Sequence, residues 1–142
     1  MPFRGVHFMA PSREQLVFAK RLIKYVISPL GYNSVILGLA GLGMRFDSHP
    51  QIAENVEAAI EKSRRGEMPP FPHGECVGGG RAVEKETLKE FVDYICSFGI
   101  EVIPEVQSLG HVQFMTYTYP EIAELESRND EAVDIRLADA LP

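Results

Sequence analysis

Glu105, Gln107 and His111 lie close enough in the chain to bring a carboxylate, an amide and an imidazole to one turn. A carboxylate can accept hydrogen bonds from sugar hydroxyls or hold a neighbouring cation. An imidazole can relay a proton or orient an acid through one ring nitrogen. The residues before them fix where the turn sits. Val102 to Glu105 follow the helix-breaking Gly99 as a short apolar run, which reads as a parallel strand with its polar groups at the carboxyl end. Ligands bind at that end in α/β folds. Glu105 and Gln107 are therefore expected to bind substrate; for Glu105 the bland alternative is an ion pair that closes a loop. Glu101 points to the same side of the strand but roughly 13 Å back. Carboxylates that share one hydrolytic step stand about 5 to 9.5 Å apart, so it cannot be a catalytic mate of Glu105.

Other residues offer weaker chemistry. Arg4 opens the first strand, where a guanidinium fork could hold two hydroxyls in fixed geometry or form an ordinary salt bridge at the bottom of a barrel. Asp47, after Met44-Arg45-Phe46, could bind a hydroxyl or could organise its loop together with Arg45. Phe114, Tyr117 and Tyr119 could stack on a sugar ring, although packing of a helix is the stronger reading for each. His7 alternates with Val6 and Phe8 on the first strand and receives no role. Histidines at 7, 49, 73 and 111 show no ligand spacing, so no metal is expected. Gly78-Gly79-Gly80-Arg81 fits neither dinucleotide nor Walker patterns and reads as a hinge; no cofactor is implied.

The elements that must position these groups alternate strand with helix. Phe3 to Met9 is the first strand, and Ser12 with Gln15 forms an S-x-x-Q capping box for the next helix. That helix carries Leu16, Ala19, Leu22, Ile23, Val26, Ile27 and Leu30 at three- and four-residue steps. Asn33 to Leu39 is a second strand, continuously apolar at Val35, Ile36 and Leu37 as if covered on both faces. A long insertion over about 40–83 follows, far beyond the usual loop of about two to six residues. Part of it is helical, with Ser48 as cap, Pro50 in the first turn, Ile52, Val56, Ala59 and Ile60 in step, and Gly66 as stop. The rest, Met68 to Arg81, is rich in Pro and Gly. Leu88, Phe91, Val92, Ile95 and Cys96 mark the next helix, with Gly99 as its stop. Pro120 begins a short helix to about Glu126, and the acidic tail at about 127–142 has only a weak pattern. Successive helix-then-strand units imply parallel crossovers.

Composition narrows the function. The net charge of −6 is concentrated in 121–142, where Glu121, Glu124, Glu126, Asp130, Glu131, Asp134 and Asp139 face only Arg128 and Arg136. No basic face is left to bind nucleic acid. Cys76 and Cys96 have no C-x-x-C spacing, and Cys96 on its apolar stripe reads as a buried thiol. Met1-Pro2-Phe3 enters the first strand at once, and no apolar run approaches the roughly 18 residues of a membrane span. The expectation is a cytoplasmic chain without membrane partners.

Glu101-Val102-Ile103-Pro104-Glu105, closed by Gly110-His111, is similar to the third-strand motif of family 20 glycoside hydrolases, the β-N-acetylhexosaminidases and their relatives. Arg4-Gly5-Val6-His7 resembles that family's opening strand, and the resemblance spans roughly 3–124. It implies an α/β fold, a partial (β/α)8 TIM barrel of about three parallel strand-plus-helix units, since a complete barrel takes about 250 residues and the chain has 142. On this resemblance 1–142 is the amino-terminal part of the barrel, Arg4 grips the terminal sugar's hydroxyls, and His111 lies close to the catalytic acid. It further implies substrate-assisted hydrolysis of terminal β-linked N-acetylhexosamine, with an aspartate orienting the acetamido group and an adjacent glutamate as acid. That pair belongs to the fourth strand and is expected downstream, because Asp130-Glu131 follows no apolar strand. The second strand lacks the family's His and Trp, and Gln107-Ser108-Leu109 replaces its Asp-x-Pro. A non-catalytic sugar-binding or assembly module is the alternative, as is an unrelated barrel lyase or isomerase using Glu105 and His111 as base and acid. Three strands cannot close a barrel, so a chain of this extent alone is expected to form a homo-oligomer.

Overall fold

The computed structural model describes residues 2–39, 45–67, 82–106, 113–116 and 118–122. Strand β1 (Gly5–Met9) leads into a short 3₁₀ turn (Arg13–Gln15) and helix α1 (Leu16–Leu22), which continues as a π-helical turn over Ile23–Ile27. Strand β2 (Ser34–Gly38) follows, then α2 (Pro50–Arg64), α3 (Lys85–Cys96), β3 (Glu101–Glu105), the single-turn α4 (Gln113–Thr116) and a 3₁₀ turn at Pro120–Ile122. The strands form one parallel sheet in the order β1-β2-β3. The α/β architecture of successive strand-plus-helix units expected for a partial TIM barrel is thus present.

One face of this sheet carries the main core. Val35 and Leu37 of β2 are fully buried beneath Ala19, Ile23 and Ile27 of the first helix and Leu88, Phe91 and Ile95 of α3. Side chains of this size gain about 1.5 to 3 kcal/mol each on full burial. Every second strand residue points the other way. There Ile36 is half-buried and Ile103 exposed, so the two-sided cover suggested by the apolar run of β2 is not found among the described residues.

The first helix differs from its expected stripe for a visible reason. Ser28 N–H donates to the Ile23 carbonyl and Tyr32 N–H to that of Ile27, both spanning five residues. This wider turn advances each residue by less than the usual 100°, which draws Ile23 and Ile27 onto one line and leaves Val26 and Leu30 exposed. The expected capping box of Ser12 and Gln15 is present, with Ser12 N–H donating to Gln15 Oε1 at 3.2 Å. His49, rather than Ser48, occupies the N-cap of α2, with Pro50 in its first turn. Cys96 is exposed, correcting the buried thiol: it sits on the margin of the Leu88, Phe91 and Ile95 stripe at the last turn of α3. Gly66 and Gly99 take a φ of 72° just after α2 and α3, a conformation that costs a side-chain-bearing residue and ends each helix.

A second, smaller core forms where the insertion meets the sheet. Ile52, Val56 and Ile60 of α2 pack with Phe114, Met115, Tyr119 and, from β1, Met9. No helix among the described residues is long and apolar enough to cross a membrane. The Pro- and Gly-rich part of the insertion and the acidic tail lie outside the described residues.

Candidate site at the carboxyl end of the sheet

Parallel pairing brings three carboxyl ends level. Met9 registers with Gly38, and Gly38 with Glu105. The backbone ladder runs one step further, with Ala10 N–H donating to the Gly38 carbonyl and Leu39 N–H to that of Glu105. Strand alternation then places His7 and Met9, Ile36 and Gly38, and Ile103 and Glu105 on the face away from the two helices of the main core.

On that face His7 Nε2 stands 2.7 Å from Glu105 Oε2, a contact made from the first strand to the third over the middle one. Gly38 of the middle strand lies beneath this contact. A Cβ there would lie 2.7 Å from Met9 Sδ and 3.4 Å from His7 Nε2. The side chains are 46% and 35% exposed, so the pair is open to a ligand but only partly shielded from water.

The connections leaving the carboxyl ends carry further charges. Arg13 reaches Glu84 at 3.3 Å, while Arg45 lies 3.9 Å from Glu84 and 3.7 Å from Glu54. Asp47 is exposed and bonds Lys85 at 2.9 Å. That hydrogen bond, aided by the carboxylate's charge, holds the Lys85 ammonium above its ordinary value. Asp47 thus ties the insertion to the start of α3, as in the loop-organising alternative. Tyr119 is likewise engaged in packing, its hydroxyl accepting from Gln51 at 2.6 Å and its ring meeting His49 edge-on, and Phe114 is buried in the second core.

Arg4 does not join this site. It precedes β1, and the four residue steps from Gly5 to Met9 separate the two ends of the strand by roughly 13 Å. Its Nη2 donates to the Leu30 carbonyl at 3.0 Å, its guanidinium lies 5.9 Å from the Tyr32 ring centre, and its backbone N–H donates to Asn33 Oδ1. The expectation of one mouth shared by Arg4, Glu105 and His111 is therefore corrected for Arg4, which ties the amino end of β1 to the turn before β2. Gln107 and His111 lie outside the described residues. Among those described, no cluster of three His, Cys, Asp or Glu could hold a metal ion.

Sequence reasoning passed over His7, since a lone histidine on a strand has no spacing signature. Strand parity carried the missing signal: His7 and Glu105 share a face only once the register sets Gly5 beside Ser34 and Ser34 beside Glu101.

No protein-family model and no curated protein matches this sequence. Solved structures do. The tandem GH20 catalytic modules of the pneumococcal exo-β-D-N-acetylglucosaminidase StrH align with a TM-score of 0.58 at 20% identity. The GH20 β-N-acetylhexosaminidase of Streptomyces coelicolor A3(2) aligns with a TM-score of 0.63 at 21% identity. The fold is that of part of the barrel in these structures. The alignments cover 94% and 95% of this chain but only 36% and 24% of those two, so it spans about a third or less of each. A further StrH structure, concerned with N-glycan recognition and hydrolysis, aligns with the same figures as the first.

Proposed function

We propose that this chain forms part of a glycoside hydrolase acting on terminal β-linked N-acetylhexosamine, with its catalytic Asp-Glu pair contributed from outside the chain. The observation that carries this reading is the GH20-type sheet with Glu105 on its open face at the carboxyl end of the third strand. A carboxylate so placed suits recognition of sugar hydroxyls. Hydrolysis would then proceed by attack of the sugar's own acetamido oxygen, while the glutamate of the expected pair protonates the leaving oxygen. Gln107 and His111 belong to the same reading, as substrate contact and as a support for the catalytic acid.

A chromogenic N-acetylglucosaminide tests the division of labour. The 142-residue chain is expected to give negligible turnover, and a longer polypeptide that continues into an apolar strand ending in Asp-Glu is expected to be active. Rapid turnover by the short chain would overturn the assignment.

A non-catalytic sugar-binding module is the second reading. On that face of the described strands the other acid, Glu101, is roughly 13 Å from Glu105, beyond the spacing of a catalytic carboxylate pair. As a unit by itself the chain would self-associate to cover the open face of its sheet.

A further inference from the structure

The pair on the open face has a direction. An ionised carboxylate only accepts hydrogen bonds, so the ring nitrogen facing Glu105 at 2.7 Å must carry the proton. In a neutral imidazole the other nitrogen, Nδ1, is then an acceptor. No other hydrogen bond or ion pair of His7 occurs among the described residues, and its side chain is nearly half exposed. The space over Gly38 is taken by the Met9 thioether, which lies beside the ring. Glu101 and Glu105 give this face a negative balance, which disfavours an anionic ligand and suits a neutral one.

We infer that Glu105 acts on a bound carbohydrate through His7. The carboxylate fixes the ring and its tautomer, and Nδ1 accepts a hydrogen bond from a hydroxyl of a neutral sugar. This rests on the carbohydrate reading above and changes the part Glu105 plays in it. Glu105 becomes a positioning residue, and His7, to which the sequence assigned no role, becomes the ligand contact. The arrangement is that of a histidine oriented by a carboxylate behind it.

Two measurements on the 142-residue chain test it. Long-range proton–nitrogen correlation spectra, with His7 assigned by its loss in His7→Gln, should show the neutral ring protonated at Nε2. Glu105→Ala should relax it to a mixture, and Glu105→Gln, whose amide oxygen still accepts, should restore the wild-type pattern. N-acetylglucosamine should then move the Nδ1 resonance. His7→Gln keeps a donor where Nε2 stands but has no Nδ1, so it should weaken sugar binding about tenfold at an unchanged thermal midpoint. A wild-type ring protonated at Nδ1, or binding that survives His7→Gln, overturns this inference alone. A wild-type chain that leaves the sugar unbound overturns the carbohydrate reading and this inference together.

Discussion

Arg4 and His7 are three positions apart on one strand yet serve opposite ends of the sheet. Arg4 is exposed, and its side chain holds the turn before β2 through the Leu30 carbonyl and the Tyr32 ring face. Its replacement by alanine should cost about 1 kcal/mol in urea unfolding and leave sugar affinity at the wild-type value. A loss of affinity without a loss of stability would return Arg4 to the binding site. The contrast also shows which residue roles are legible in the chain. Glu105 could be placed because an apolar run fixes where a parallel strand ends. Arg4 could not, because a motif names neighbours along the chain and is silent on which end of the sheet they serve. His7 was hidden for a third reason: its partner lies two strands away, and only the register joins them.

Among the elements, the strands and the helices α2 and α3 were readable to within a few residues, since periodicity and helix-stopping glycines follow directly from local sterics. The face of the first helix was not. An α-helical wheel treats Val26 and Leu30 as members of the stripe, and a π turn, which no residue type announces, rotates them out. Stability measurements should separate the two kinds of position. Phe91, fully buried in α3, should lose about 3 to 5 kcal/mol on replacement by alanine. Val26→Ala should stay within about 0.5 kcal/mol of wild type, as for an ordinary surface site. Equal losses in urea titrations of the two variants would mean that the first helix is regular after all.

At the scale of the whole molecule, the described residues bury one face of the sheet beneath α1 and α3 and cover the other only in part, where Met9 meets the second core. Ile103, 36% exposed, and the half-buried Ile36 lie on the open face, and β1 and β3 are edge strands. Unpaired edges beside apolar surface favour association. Sedimentation of the isolated chain should therefore show species larger than its 15.8 kDa, and Ile103→Lys should shift them toward monomer. A compact wild-type monomer would count against self-association.

The second core has a chemical weakness of its own. Met9 is the strand residue that enters it, alongside Met115, so two thioethers lie where the insertion grips the barrel wall. Oxygen added to such a sulfur turns a soft apolar filler into a polar one. Mild peroxide should thus unfasten α2 while sparing α3, read as faster amide exchange in the first and unchanged exchange in the second. Met9→Leu with Met115→Leu should abolish the response, which would make this corner of the protein a fastening that oxidants can release.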